Sequence, residues 1–186
     1  MPLSPSVPRA PVHVRHVVCS GFHREDGLWD IEGHLTDVKS YDFESRYRGT
    51  VASGVPVHEM WLRLTVDDDL VIRAVEAVTD HSPFPVCPAI TGNFARLKGL
   101  NIRPGFYVKV KELLGGIEGC THLVEMLGPI ATTAYQTIYP YRDKLSRARG
   151  EPRPATRRPP FLDTCHGWSS SGEVVKQLFP SFYTGA

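Results

Sequence analysis

The chain has 186 residues, of which 21 are Lys or Arg and 20 are Asp or Glu, so its formal net charge is +1. This balance gives no reason to expect nucleic acid or an anionic membrane as a partner. The length suits one domain with a substantial core, and no stretch reaches the roughly 18 apolar residues that span a bilayer. The start of the chain lacks a signal-peptide pattern, which predicts a cytoplasmic protein.

The first half of the chain predicts a β-sheet. Residues 1–11 hold four prolines and are expected to be a disordered arm, followed by a single α+β domain over residues 12–186. Apolar and polar residues alternate in the runs 28–39 and 58–66, which predicts two paired antiparallel strands. The run 70–78 is apolar on nearly both faces, so we expect a strand that is covered on both sides. These segments predict a curved antiparallel sheet or small barrel of about four to six strands.

The second half predicts helices packed on that sheet. Thr91 is placed to cap a short helix that ends near Leu97, whereas residues 105–114 fit a strand or a helix equally well. The strongest helical pattern begins at Thr121 and has an apolar stripe at helical spacing. Pro129 should kink this helix or split it into a pair. Residues 146–160 hold five arginines among prolines and predict a flexible basic loop.

The polar side chains of the paired strands are the first candidate site. His34, Asp37 and Lys39, with His58 on the neighbouring strand, combine a histidine, an orienting carboxylate and a cation, which are the parts of a general base with a stabilised anion. His34 and Asp37 are three residues apart and should lie on opposite faces, so a bulge at Gly33 would be needed to bring them together. Alternation alone leaves open whether these side chains line a cavity or face water.

Four further residues are candidates for substrate binding in such a cavity. Trp29, Trp61 and Tyr41 can supply apolar walls, and Arg63 can hold negative charge.

The run Cys120-Thr121-His122, at the start of the best predicted helix, is the second candidate site. Free backbone N–H groups and the positive end of the helix dipole favour an anion or an oxyanion there. A cysteine in that position can also act as a nucleophile. The alternative is that Thr121 only caps the helix and Cys120 only packs in the core.

The remaining histidines and cysteines carry weaker signals. The four cysteines are widely separated and predict free thiols. A metal site would have to draw on His34, His58, His122 and Cys120, or on Cys165 with His166, and these residues lack the spacing of a zinc motif. We therefore predict no bound metal. Four histidines are expected on the surface, namely His13, His16, His23 and His81.

Several of these runs together resemble a known bacterial family. Residues 26–39, 58–65 and 119–123, with Cys165-His166 and residues 172–175, are similar to the family called domain of unknown function 2889. The likeness covers the chain from about Val12 onward. Its bacterial distribution includes organisms that degrade aromatic compounds, which implies a role with a small molecule.

The sequence lacks a dinucleotide fingerprint, a P-loop, a GxSxG elbow and a kinase signature, so proton-transfer chemistry without a cofactor remains. We expect a lyase that cleaves a C–C bond by a retro-aldol route in a small hydroxylated substrate, aromatic or phenolic, with His34 or His58 as the base. Three alternatives stay open: a non-catalytic small-ligand binding module, a metal-dependent hydrolase that uses the same histidines, and an interaction domain that uses the basic loop. An exposed sheet edge would favour a homodimer.

Overall fold

The computed structural model describes residues 3–151 and 158–185 and has an α+β fold. The predicted arm has neither helix nor strand over residues 3–12, which are all exposed. Residues 152–157, in the predicted basic loop, lie outside the described part of the chain, as do residues 1, 2 and 186. The chain divides into two compact units, of which the first ends at Ala134 and the second begins at Tyr135.

An open antiparallel sheet of four strands forms the centre of the first unit. Of the two predicted forms, a curved sheet or a small barrel, the structure confirms the sheet. Six strands occur in the described chain: β1 (His13–His23), β2 (Trp29–Lys39), β3 (Phe43–Ser45), β4 (Gly49–Val51), β5 (Pro56–Val66) and β6 (Ile72–His81). The main sheet has the order β1-β2-β5-β6, and β3 pairs with β4 in a small second sheet. Strands β2 and β5 are paired as the sequence predicts.

Alternation gives the main sheet two different faces. Trp29, Ile31 and Leu35 of β2 are buried on one face, which we call the covered face. Glu32 and His34 lie on the other, which we call the open face, and are only partly buried. Each large side chain on the covered face contributes about 1.5–3 kcal/mol through its burial. The two faces therefore offer different surroundings to polar groups from the same strand.

Strand β6 differs from its prediction. The sequence predicts a strand covered on both sides, but β6 lies at an edge of the sheet and only Ile72 in it is fully buried. A run of small and β-branched residues such as this one fits an edge strand as well as a central one, because β-propensity reflects the surroundings of a strand.

Helix α1 (Phe106–Leu114) settles the ambiguous segment as a helix, with Phe106, Val110 and Leu114 buried on one side. Before it, Cys87–Leu97 forms a 3-10 helix that begins earlier than predicted. Thr91 lies inside this helix, where its hydroxyl donates to the carbonyl of Pro88, so Thr91 is not the cap.

Helix α2 (Thr121–Ala148) is one continuous helix of 28 residues, so Pro129 does not split it into the predicted pair. Its first half packs on the covered face at Gly33. A Cβ atom added to Gly33 would lie 2.7 Å from Cδ1 of Ile130 and 3.4 Å from Sδ of Met126. Gly33 thus provides the close approach that seats α2 on the sheet.

The second unit contains the end of α2 and the short helix α3 (Glu173–Leu178). Aromatic rings fill it, with the ring of Phe161 at 4.6 Å from Trp168 and 5.7 Å from Phe179. Among the described residues, no helix has the length and apolar character needed to cross a membrane.

Candidate active site on the covered face

Three polar side chains form a row across the covered face. Arg15 of β1 and His58 of β5 both face Asp37 of β2 directly in the strand register. Asp37 lies two residues beyond Leu35, so it belongs to the covered face and is only 1% exposed. A buried carboxylate is costly unless it is paired and hydrogen-bonded, so Asp37 requires partners within this row.

Asp37 is held by partners from both neighbouring strands. Arg15 donates from Nε to Oδ1 at 2.7 Å and from Nη2 to Oδ2 at 2.8 Å, which is a bidentate pair. His13 Nε2 lies 3.1 Å from Oδ1, and His58 Nδ1 lies 3.1 Å from Oδ2. Burial raises the pKa of Asp37, but the hydrogen bonds and charges of Arg15, His13 and His58 outweigh this effect and lower that pKa below its ordinary value. Asp37 is therefore ionised at neutral pH.

The ionised carboxylate fixes the tautomer of His58. A carboxylate only accepts hydrogen bonds, so the His58 Nδ1–H donates to Asp37 and the lone pair is on Nε2. Burial lowers the pKa of His58, and the nearby His122 lowers it further, against the opposing effect of Asp37. His58 is thus neutral at pH 7 and presents an oriented basic nitrogen.

The start of α2 brings a second histidine to this row. The His122 ring centroid lies 3.8 Å from that of His58, and its Nε2 lies 3.7 Å from Asp37 Oδ2. Burial lowers the pKa of His122, and the charge of Arg15 adds to the effect. Both imidazoles are partly accessible, with 16% of the His58 side chain and 22% of the His122 side chain exposed. The cluster can therefore meet a ligand from solvent.

The other two residues of the run also have defined places. Val124 N–H donates to the carbonyl of Cys120, so Cys120 takes the N-cap position and Thr121 is the first helical residue. The Cys120 thiol lies 3.9 Å from both His122 Nδ1 and Met60 Sδ. Cys120 and His122 are distant from Asp37 and His58 in the sequence, and the fold brings the four residues together.

The bulge at Gly33 that would bring His34 and Asp37 together is not present. The register of β2 with β1 is continuous throughout, and its register with β5 shifts only between Asp37 and Val38. His34 and Asp37 therefore lie on opposite faces, as an undistorted strand requires. A bulge next to Asp37 and His58 is typical of a position where a strand aims side chains into a site.

The open face holds a separate cluster around His34. His34 Nε2 lies 3.1 Å from Glu59 Oε1, and its ring stacks on Trp61 with centroids 3.5 Å apart. The second oxygen of Glu59 lies 3.0 Å from His81 Nδ1. The fold thus brings His34 and Trp61 together, on the opposite face of the sheet from Asp37.

Arg63 also lies on the open face. It donates to Glu32 and to Glu76, each at 2.8 Å, beside a shallow groove of about 250 Å³ next to Trp61. Its charge is balanced there, so it does not serve the row around Asp37.

The remaining predicted residues also lie outside that row. Lys39 donates from Nζ to the Tyr41 hydroxyl at 2.8 Å and lies 5.0 Å from the ring centres of Tyr41 and Phe43. Trp29 is buried at the opposite end of β2, where its indole N–H donates to Asp68. Trp29 therefore does not line the site around His58, whereas Lys39 faces His13 in the strand register and contacts Tyr41.

Sequence reasoning missed one member of the row, Arg15, and the contact that His13 makes with Asp37. His13 is exposed, as predicted for a surface histidine, and its ring also contacts the buried carboxylate. One signal was available. Counting by two from Leu35 places Asp37 on the apolar face, and counting back from Met60 places His58 there. A charge on that face requires a cationic partner from the next strand, and β1 offers Arg15.

The same cluster contains donors that can hold a metal ion. One donor atom each from Asp37, His58 and His122 lies within 4.8 Å of the others, and two imidazoles with a carboxylate suit zinc or iron. Arg15 opposes this use, since its guanidinium occupies both oxygens of Asp37 and places a positive charge beside any cation. The arrangement fits a neutral base with an orienting carboxylate better.

These features define an α+β protein with a histidine and carboxylate site on the covered face of an open antiparallel sheet. The chain belongs to the family described as Protein of unknown function (DUF2889), whose model matches residues 13–136. The match includes β1, β2, β5 and the start of α2, and hence all the side chains of the row. Neither a curated protein nor a solved structure matches the chain.

Proposed function

We propose that the protein is a lyase that uses no organic cofactor and cleaves a C–C bond in a small hydroxylated substrate by acid–base chemistry. One observation carries this proposal: the Asp37–His58 pair, in which a buried, ionised carboxylate accepts from Nδ1 of a neutral imidazole and so leaves the lone pair on Nε2. Such a pair is the orienter and base of general acid–base catalysis.

The chemistry that this pair supports is a retro-aldol cleavage. His58 Nε2 takes the proton of a substrate hydroxyl group, the oxygen forms a carbonyl bond to its carbon, and the adjacent C–C bond breaks. The electron pair of that bond stays on the other fragment, where a conjugated electron-withdrawing group holds it until the His58 imidazolium returns the proton. An aldehyde and a protonated second fragment leave.

Two neighbouring features support this cycle. Arg15 keeps Asp37 ionised, so the negative carboxylate stabilises the imidazolium that forms on His58. The first N–H groups of α2 lack acceptors within the helix, and the positive end of the helix favours an oxyanion beside His122. An aromatic or phenolic substrate is proposed on the family's occurrence in bacteria that degrade aromatic compounds.

A metal-dependent hydrolase is the second candidate, and the spacing of the donors of Asp37, His58 and His122 favours it. In that function the metal ion would activate a water molecule. Metal analysis of protein purified without a histidine tag separates the two candidates. Stoichiometric zinc or iron that is lost in His58→Gln would favour the hydrolase, and a metal-free preparation with lyase activity would favour the first proposal.

The proposal is tested with aromatic compounds that carry a hydroxyl group on the carbon next to the bond to be cleaved, while the released aldehyde is measured. Replacing His58 by Gln removes the base and should lower kcat/KM by about 10²–10⁴-fold. The matched control is His34→Gln, since His34 also contacts a carboxylate but lies on the open face. This variant should stay within about threefold of the wild type.

The pH profile adds a second readout. Because the pKa of His58 is lowered from 6.5, kcat/KM should fall only when the pH drops below about 6.5. Equal losses in His34→Gln and His58→Gln would contradict the assignment. Saturable binding of the compounds without turnover, unchanged in His58→Gln, would instead indicate a ligand-binding module.

A further inference from the structure

Two sulfur atoms lie 3.9 Å apart at the start of α2, one of them beside His122, and the proposed lyase chemistry does not use them. The thiol of Cys120 is 3.9 Å from Sδ of Met60 and 3.9 Å from Nδ1 of His122. Met60 reaches this point from β5, and the other two residues come from the start of α2. We propose that Cys120, Met60 and His122 form a binding site for a soft monovalent metal ion, Cu(I).

The spacing of the donors suits three-coordinate binding. Nitrogen and sulfur ligands lie at about 2.0–2.3 Å from a bound transition metal, so two donors of a trigonal site are about 3.6–4.0 Å apart. Both distances from the Cys120 sulfur, 3.9 Å each, fall in this range. The Cys120 sulfur is therefore at a suitable distance from each of the other two donors to share a metal ion with it.

The kind of donor selects the metal. A thiolate and a thioether are soft ligands that favour Cu(I), whereas carboxylates and water favour hard divalent cations. Met60 is 1% exposed, so its thioether is desolvated and has little competition from water. Cys120 and His122 are partly exposed and give the ion a way in from solvent.

The surroundings of His122 orient the imidazole for this role. Its Nε2 faces Oδ2 of Asp37 at 3.7 Å, and this carboxylate favours a hydrogen on Nε2. The lone pair is then on Nδ1, which is the nitrogen that faces Cys120. A carboxylate behind a ligating histidine is the usual outer-shell partner of a protein metal site.

This site differs from the donor set of Asp37, His58 and His122, although the two share one histidine. That set offers nitrogen and oxygen atoms and suits zinc, whereas the new site offers two sulfur atoms. It leaves the Asp37–His58 pair in place, so the inference does not depend on the proposed lyase activity.

The test is a competition for Cu(I) between the full-length reduced protein, under anaerobic conditions, and the coloured chelator bicinchoninate. We expect the protein to remove one equivalent of Cu(I) from the chelator. Cys120→Ser should weaken binding by at least about 100-fold and Met60→Leu by about tenfold, since even outer-shell changes at metal sites cost about 10–100-fold. Met60→Leu conserves volume and should fold normally, which thermal unfolding of each variant checks.

Two controls give the test its specificity. Cys165→Ser removes an exposed thiol that also stands beside a histidine in the sequence, and it should leave the Cu(I) affinity within about threefold of the wild type. Zn(II) affinity should be the same in Met60→Leu and the wild type. The inference is overturned if the wild type takes no Cu(I) from the chelator, if Cys120→Ser binds as tightly as the wild type, or if Cys165→Ser removes the binding.

Discussion

Asp37 is the residue on which the candidate site depends, because it carries a full charge while only 1% exposed. Its carboxylate joins three strands and one helix through Arg15, His13, His58 and His122. Since the bidentate guanidinium provides most of the compensation, Arg15 acts on the site through Asp37. Its role is to keep the carboxylate ionised and thereby to keep the His58 tautomer fixed.

Arg15→Met should therefore destabilise the fold. The variant keeps much of the side-chain volume but leaves Asp37 without its bidentate partner, and an uncompensated buried charge costs about 3–5 kcal/mol. Arg15 itself is 37% exposed, so water offsets part of the loss and we expect about 2–3 kcal/mol. Urea unfolding, followed by circular dichroism, measures the difference in free energy.

Arg63→Met is the matched control for this prediction. Arg63 also bridges carboxylates, but Glu32 and Glu76 are both substantially exposed. Exposed ion pairs contribute only about 0–1 kcal/mol, so this variant should remain close to the wild type. Similar losses in both variants would show that the burial of Asp37 does not set the cost.

At the residue scale, the sequence predicts the chemistry of the site better than it predicts the complete set of residues that form it. Asp37, His58, Cys120 and His122 are identified as candidates from residue type and local pattern. Their separation from His34 follows from strand parity, because the register of β2 is continuous from His34 to Asp37. Arg15 is not predicted, because pairing two strands requires their register, and a single sequence does not specify which residue of β1 faces Asp37.

At the scale of elements, the position of α2 fixes where Cys120 and His122 meet the sheet. The helix approaches β2 at Gly33, where a side chain has no room beside Ile130 and Met126. Gly33→Ala should push the helix away from the sheet and destabilise the protein by about 1–3 kcal/mol, as overpacked cores do. Because the shift would also move His122, the variant should lose activity in the aldehyde-release assay along with stability.

Gly92→Ala serves as the control for that substitution. Among the described residues, no heavy atom beyond the glycine and its two chain neighbours lies within 4 Å of a Cβ atom added at Gly92. The change therefore restricts mainly the unfolded chain and should be neutral or stabilising by up to about 1 kcal/mol. A double variant with Gly33→Ala and Ile130→Val should recover part of the lost stability, since it removes the methyl group nearest to the new side chain. If Gly33→Ala unfolds at the same urea concentration as the wild type, the close approach is not what seats α2.

The elements themselves are predicted unevenly, for physical reasons. Strict alternation identifies β2 and β5 and their pairing, because one buried face imposes a period of two. The stripe from Leu123 onward identifies α2, but Pro129 does not end it, since packing along a long helix outweighs the loss of one hydrogen bond. The sequence predicts that β6 is covered on both sides, but it is an edge strand. An apolar composition does not distinguish an edge strand from a central one.

At the scale of the whole molecule, the sheet separates two histidine clusters. His34 and His81 share Glu59 on the open face, whereas His58 and His122 share Asp37 on the covered face. Burial lowers the pKa values of the second pair. The covered-face pair therefore gives a directed prediction for the response of the fold to pH.

The free energy of unfolding should fall when the pH is lowered from 7.5 to 5.5. His58 and His122 take up protons near pH 6.5 in the unfolded chain, but at lower pH in the folded protein because their folded pKa values are lowered. The unfolded state thus binds more protons in this range, and the stability that the neutral imidazoles contribute is lost as the pH falls through the folded pKa values. The lowered pKa of Asp37 contributes only below about pH 4.

Urea unfolding at both pH values measures this change. The His58→Gln, His122→Gln double variant should lose less free energy of unfolding than the wild type between the two pH values. The control variant His16→Gln, at an exposed position of β1, should match the wild type. Equal pH dependence in the double variant and the wild type would mean that the two histidines are not neutral in the folded protein. The assignment of His58 as the general base would then have no physical support.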